Sequence, residues 1–345
     1  MIYFNNDYSE GCLPQILEKL CETNLQQTPG YGTDDYCLDA ARKIRELCGR
    51  EDISVHFLVG GTQTNLTVIA ASLRPYQGVI AATSGHISVH ETGAIEATGH
   101  KVIELPGIDG KLTPQQIAKV AASQSETMDA EHTVQPKMVY ISSPTELGTL
   151  YSLAELEAIR KVCDEYGLLL FLDGARMGYG LTADGNDVTL ADHARLCDAF
   201  YIGGTKVGAL FGEAVVLTNP SIAADFRYMI KQRGGMLAKG RLLGLQFGVL
   251  FEDGLYFKVS AQANALADRI RNALSELGYE TLVKNTTNQI FPILPDALLE
   301  ALAKEFCFTE MERVDDTHRA VRFCTSWATT DENVDKLINA LRNLS

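Results

Sequence analysis

The stretch Leu168-Leu-Leu-Phe-Leu172, followed at once by Asp173-Gly-Ala-Arg176, decides the fold. Five apolar residues without interruption predict a strand buried on both faces, and such strands belong to parallel sheets that helices cover on each side. The helix leading into it is marked at both ends, by a capping box of Ser152 with Glu155 and by Gly167 after the last apolar residue, Tyr166. Working outward, short runs rich in β-branched and aromatic residues recur at 54–59, 78–82, 101–105, 137–142, 198–202 and 213–217. With 168–172 they make seven expected strands, most of them separated by segments of helical period. Thr113, Pro114 and Gln116 start another of these helices in the same way.

Strands alternating with helices give an α/β class with a large domain around a mostly parallel seven-stranded sheet. Beyond about residue 250 the pattern changes to a helix at 261–278, extended pieces at 289–294 and 320–325, and a closing helix at 331–344. That predicts a small α+β C-terminal domain. The expected division is an N-terminal arm at 1–30, a large domain at 31–250 and a small domain at 251–345. Because 240–258 lacks linker composition, the boundary is expected inside a helix.

The chain has 345 residues, 46% hydrophobic and 21% charged, which suits a globular body of enzyme size. A net charge of −14 with no basic cluster argues against nucleic acid as a partner. No apolar run approaches a membrane span, and the opening MIYFNNDYSEG lacks the pattern of a signal peptide, so a cytoplasmic protein without a membrane partner is expected. Cys12, Cys21, Cys37, Cys48, Cys163, Cys197, Cys307 and Cys324 contain no C-x-x-C pair and read as buried free thiols.

Three segments carry chemistry. In Val59-Gly-Gly-Thr-Gln-Thr-Asn-Leu66 a strand ends in two glycines and a helix begins, so backbone N–H groups and the helix dipole suit a phosphate monoester. An ordinary strand-to-helix turn has the same look, and neither a Walker lysine nor a complete G-x-G-x-x-G is present. Asp173 stands at the carboxyl edge of the sheet, where it can hold a pyridinium N–H; it can also cap the next helix or pair with Arg176. In Phe200-Tyr-Ile-Gly-Gly-Thr-Lys-Val-Gly-Ala209, Lys206 follows another apolar strand among small residues, and a partly desolvated lysine there is a nucleophile for carbonyls. Phosphate loop, acid and lysine each end a different parallel strand, and that ordered set lifts Lys206 above an ordinary solvated lysine.

Taken together, G-G-T-Q-T-N, Gly85-His-Ile-Ser-Val-His-Glu-Thr-Gly93, D-G-A-R and G-G-T-K resemble the threonine aldolase family, a branch of the pyridoxal-phosphate (PLP) enzymes of fold type I. The likeness extends to Phe4-Asn-Asn-Asp7, the Tyr31-Gly segment and Ala320-Val-Arg-Phe-Cys-Thr325. It implies Lys206 as the Schiff-base lysine, Asp173 on the pyridine nitrogen, His86 stacked on the ring, and Gly61, Thr62 and Thr205 at the phosphate. Arg176 and Arg322 would take the substrate carboxylate, with Asn6 where the family commonly has serine. Tyr31 and Arg233 would reach a neighbouring subunit's site in a homodimer or homotetramer.

Two departures stand out. The family's second histidine, in N-T-H-N-G, is matched here by Pro144-Thr-Glu-Leu-Gly148, so Glu146 is expected to take over its contact with the substrate β-hydroxyl, or else to orient His86. His90 lies one helical turn after His86, but no third ligand accompanies the pair and no metal site is expected. The expected reaction is retro-aldol cleavage of L-threonine or a related β-hydroxy amino acid to glycine and an aldehyde. A β-eliminating PLP lyase would use the same Lys206 and Asp173. An idle PLP-binding protein would lack the arginines and proton carriers, whereas Arg176, Arg322, His86 and Glu146 are all present.

Overall fold

The computed structural model describes residues 1–126 and 128–344. After a short strand β1 (Ile2–Tyr3), the chain forms β2 (Ser54–Leu58), β3 (Gln77–Ala82), β4 (Val102–Leu105), β5 (Gln135–Ser142), β6 (Leu169–Asp173), β7 (Ala199–Gly203) and β8 (Glu213–Leu217). Strands β2 to β8 make one sheet in the order β2-β8-β7-β6-β5-β3-β4. Pairing is parallel throughout except at β8, which runs antiparallel to both β2 and β7. The expected strands are therefore all present, displaced by a residue or two at their ends, and the reversal of β8 is the feature that the sequence pattern did not show.

Alternate residues explain why the strands read as unbroken apolar runs. Val139, Ile141, Leu170, Leu172, Phe200, Ile202, Ala214 and Val216 enter one core, while Met138, Tyr140, Phe171, Ala199, Tyr201, Val215 and Leu217 enter the core on the opposite face. Each fully buried large side chain contributes about 1.5–3 kcal/mol, so neither face tolerates polar alternation. The helices that cover the sheet begin and end where their caps say. Ser152 and Glu155 close a reciprocal box on the helix Leu153–Tyr166, and Gly167 ends it in the left-handed conformation at φ 62°. Thr113 and Gln116 bond each other in the same sense at the start of Pro114–Glu126.

A third core lies in the C-terminal part. The helix Leu255–Glu276 places Tyr256, Val259 and Ala263 in the core of the large sheet and Leu266, Ile270 and Leu274 in the small core. Around the small core lie β9 (Gln289–Ile290), β10 (Ile293–Pro295), the helix Asp296–Leu302, β11 (Phe306–Cys307), β12 (Thr309–Arg313), β13 (His318–Cys324) and the helix Asp331–Leu344. Strand β1 pairs with β11, and Phe4 enters the small core, so the N-terminal segment is built into the C-terminal unit. The cysteines are free, but Cys21 is exposed and Cys307 half-buried, against the expectation that all are buried. Among the described residues no helix is long and apolar enough to cross a membrane.

Candidate active site

The strands that point the same way must deliver their carboxyl ends to one edge, and that edge carries a cleft of about 360 Å³. Gly61, Thr62, His86, Glu146, Asp173, Arg176, Thr205 and Lys206 all line it. Close backbone approach builds its floor. The Gly203 N–H donates to the Gly174 carbonyl at 2.9 Å, and a Cβ on Gly174 would run into the Tyr201 carbonyl. The glycines of D-G-A-R and G-G-T-K thus let the ends of β6 and β7 close together.

Asp173 is 4% exposed and accepts four hydrogen bonds: from the hydroxyls of Tyr201 and Tyr140, each at 2.5 Å, from the Ala175 N–H at 3.0 Å and from Asn65 at 3.2 Å. Tyr140, Phe171 and Tyr201 share the sheet face that Asp173 shares by alternation, which brings the two phenols to the acid from both sides. Burial, and then the Asp173 charge, hold both phenols protonated well above the usual tyrosine range, so they serve as donors. Asp173 makes no bond to Arg176, and its bond to the Ala175 N–H is the local turn that follows the strand.

His86 opens a short helix at the edge, where its backbone N–H donates to Glu146 Oε1 at 2.9 Å and its Nδ1 meets Glu91 Oε1 at 2.7 Å. Asn65 Nδ2 bonds both Glu91 and Asp173 and so joins the two acids. Burial alone would lower the His86 pKa, but the Glu91 hydrogen bond and the charges of Asp173 and Glu91 outweigh it, and the imidazole is raised above the ordinary histidine value. Glu146 Oε1 also accepts from Ser142 at 2.7 Å. Burial raises the Glu146 pKa against the opposing Ser142 bond, with the Asp173 charge adding to the rise.

Lys206 sits in a single 3-10 turn between Gly204 and Gly208, and among the described residues no side chain bonds its ammonium. Burial and the nearby Arg176 charge lower its pKa; Asp7, Asp173 and Glu213 pull the other way without restoring it. A lysine in this state is a nucleophile for carbonyls. At the other side of the cleft the helix Gly61–Ser72 begins with bare backbone, and a side chain at position 61 would press on the Tyr201 hydroxyl at 3.1 Å. Its first N–H groups are free to receive an anion.

Several expected residues are placed differently. Arg176 gives Nε and Nη2 to Asp7 at 2.7 and 2.9 Å, so its two-point fork is occupied by a buried aspartate rather than offered whole to a ligand. Asn6 accepts from Tyr8 N and Ser9 Oγ in a local turn, and the neighbouring Tyr8 is the residue of this segment that lines the cleft. Tyr31 lies outside the cleft of its own chain, exposed beneath Lys231 with the ammonium 4.9 Å from its ring centroid, and Arg233 is likewise outside it, with Nε buried and unpartnered. Arg322 stands on β13, bonded to the Asn5 carbonyl and to Gln289, and has no acidic partner among the described residues. Its Nε is buried without a partner, and its charge reaches His90.

The residues that the sequence reading passed over are Asp7, Asn65, Glu91, Tyr140, Tyr201 and Glu213. Alternation along β5, β6 and β7 carried a signal for the tyrosines, since polar tips on the face of Asp173 need a partner. Glu213, a charge at the head of an apolar strand, was a signal of the same kind.

A family model described as beta-eliminating lyase matches residues 9–297. Over 98% of its length the chain is 30% identical to a low specificity L-threonine aldolase from a Pseudomonas species, of which it covers 96%. A solved structure of Leishmania major threonine aldolase is 46% identical, with a TM-score of 0.96 over 100% of this chain and 99% of that one. Aspartate aminotransferase from Thermus thermophilus shares the fold, with a TM-score of 0.72 at 16% identity over 100% of this chain and 92% of its own.

Proposed function

The chain belongs to the beta-eliminating lyase family, and from that membership we propose that it is a PLP enzyme that cleaves L-threonine or a related β-hydroxy amino acid to glycine and an aldehyde. One observation carries the reading: a lysine whose ammonium is unbonded among the described residues, an acid fixed by four donors and a second acid, Glu146, meet at one edge of the sheet. The cleft suits the cofactor. Lys206 would hold its carbonyl carbon, Asp173 its ring nitrogen, His86 its ring face, and Thr205 with the N–H groups of Gly61 and Thr62 its phosphate. When bound, the cofactor supplies an electron sink for the pair left on the substrate Cα as the Cα–Cβ bond breaks.

The remaining work falls to the chain's own residues. Asp173, oriented by its four donors, is placed to face a protonated partner opposite it. Arg322, which pairs with no acid among the described residues, is suited to the substrate carboxylate, and the Nη1 of Arg176 that Asp7 does not engage can add to it. Glu146 accepts the β-hydroxyl proton, directly or through one water. Its raised pKa brings it closer to neutrality and makes it a better acceptor than an exposed carboxylate. His86, oriented by Glu91, packs beside that acid.

An assay on a panel of β-hydroxy amino acids tests the reading: glycine with an aldehyde supports it, and ammonia with a keto acid would replace it by β-elimination. Glu146→Gln keeps an acceptor for His86 N and Ser142 Oγ but removes the base. Glycine release should slow by roughly 10²–10⁴-fold, the range for a positioned proton acceptor, while amino acid binding persists. Release at the parent rate would transfer the role to His86.

Arg322→Lys should lower kcat/KM by roughly 10–100-fold, because an ammonium cannot form the two-point contact with a carboxylate. The melting temperature should fall only slightly, since the contacts at stake are the hydrogen bonds to the Asn5 carbonyl and Gln289, and an ammonium can still donate to one of them. Unchanged kinetics with a lowered melting temperature would assign Arg322 to the small core instead.

A further inference from the structure

Glu213 has no part in the mechanism above, yet it is a carboxyl group only 4% exposed that lines the same cleft as Lys206. Strand direction puts it there. Because β8 runs antiparallel to β2 and β7, its first residue lies where those strands end, in register with Leu58 on one side and Gly203 on the other. Both carboxyl oxygens are held: Oε1 by the Thr205 hydroxyl at 3.0 Å and Oε2 by the Gly204 N–H at 3.2 Å. Thr205 is itself held, accepting from the Gly212 N–H at 3.0 Å. The acid is thus clamped to the two residues that immediately precede Lys206.

We propose that Glu213 is a positioning residue whose carboxylate charge, held at the cleft by Gly204 and Thr205, favours the proton on the Lys206 nitrogen. The proposal rests on the reading of Lys206 as the residue that links to the cofactor. The anion stabilises the positive charge on that nitrogen across the cleft, and a protonated Glu213 withdraws that support. Asp173 cannot serve in this way, because four donors already engage its two oxygens. Asp7 cannot either, being paired with Arg176 and lowered in pKa. Among the described residues Glu213 has only two donors, and burial pushes it up to about 8 against the opposing charge of Lys206. The other charges that face the pair are Arg176, Asp7 and Asp173 around Lys206, Asp173 again beside Glu213, and the imidazoles of His86 and His90.

The test is a pH titration of the cofactor-loaded protein, following the visible absorption band that reports the proton on the lysine nitrogen. Two interacting groups titrate as a pair, so the parent should show a broad transition that extends above neutrality. In Glu213→Gln it should narrow to one step. The two proteins should coincide on the acid side, where Glu213 carries its own proton, and diverge above neutrality, where the variant loses the lysine proton about one pH unit or more earlier. Glu213→Asp should lie between them, and it stands in for Glu213→Gln if that variant does not fold. A variant that titrates as the parent does, with the band still fixed to Lys206 by borohydride, overturns the proposal. A borohydride label on another lysine overturns the underlying reading instead. Lower thermal stability without a change in titration would give Glu213 a structural role alone.

Discussion

Borohydride reduction of the cofactor-loaded protein is expected to fix the label on Lys206, and Lys206→Ala is expected to fix none and to lose turnover by at least roughly 10²–10⁴-fold, the loss for removing a positioned proton carrier alone. Two features make this the largest effect. The ammonium has no bonded partner among the described residues, so its removal breaks no structural contact there, and burial lowers its pKa, which gives it nucleophilic character. The alanine variant should therefore fold with unchanged thermal stability. Peptide mapping after reduction checks the assignment directly, and a label on any other lysine would end it.

Asp173→Asn should retain cofactor and fold, and should lose turnover by roughly a hundredfold or more, the scale for one preorganised electrostatic contact. Charge decides the outcome. Tyr140, Tyr201, the Ala175 N–H and Asn65 all donate toward this carboxylate, an arrangement that stabilises an anion and leaves it ready to hold a protonated ring nitrogen. An amide has one acceptor oxygen and turns an N–H donor toward groups that are themselves donors. Steady-state rates beside cofactor content separate the two effects, and near-normal turnover in the folded variant would remove Asp173 from the role.

Much of this was legible in the sequence because the signals are local. Unbroken apolar runs announced strands buried on both faces, and Ser152, Glu155 and Gly167 marked a helix whose ends the structure places there. The strand-to-helix turns after residues 58, 173 and 203 put Gly61, Asp173 and Lys206 at one edge, since parallel strands share a carboxyl end. Glu146 was placed by the same rule. It follows β5, and its bond to the His86 backbone N–H comes from the neighbouring strand connection.

What the sequence by itself determined, then, is the alternation of elements and the set of loops that meet at the cleft, because helix caps, buried strands and edge positions are properties of contiguous residues. Pairings across long separations were decided only by the tertiary structure. Arg176 finds Asp7 across 169 positions, Arg322 bonds the Asn5 carbonyl across 317, and Glu213 reaches the cleft because β8 reverses direction in the sheet. Nothing local distinguishes a free guanidinium from one already paired, or a strand that runs up from one that runs down. The partner is chosen by which surfaces pack when the N-terminal segment joins the small core, and a buried charge accepts whichever opposite charge that packing brings within hydrogen-bond distance.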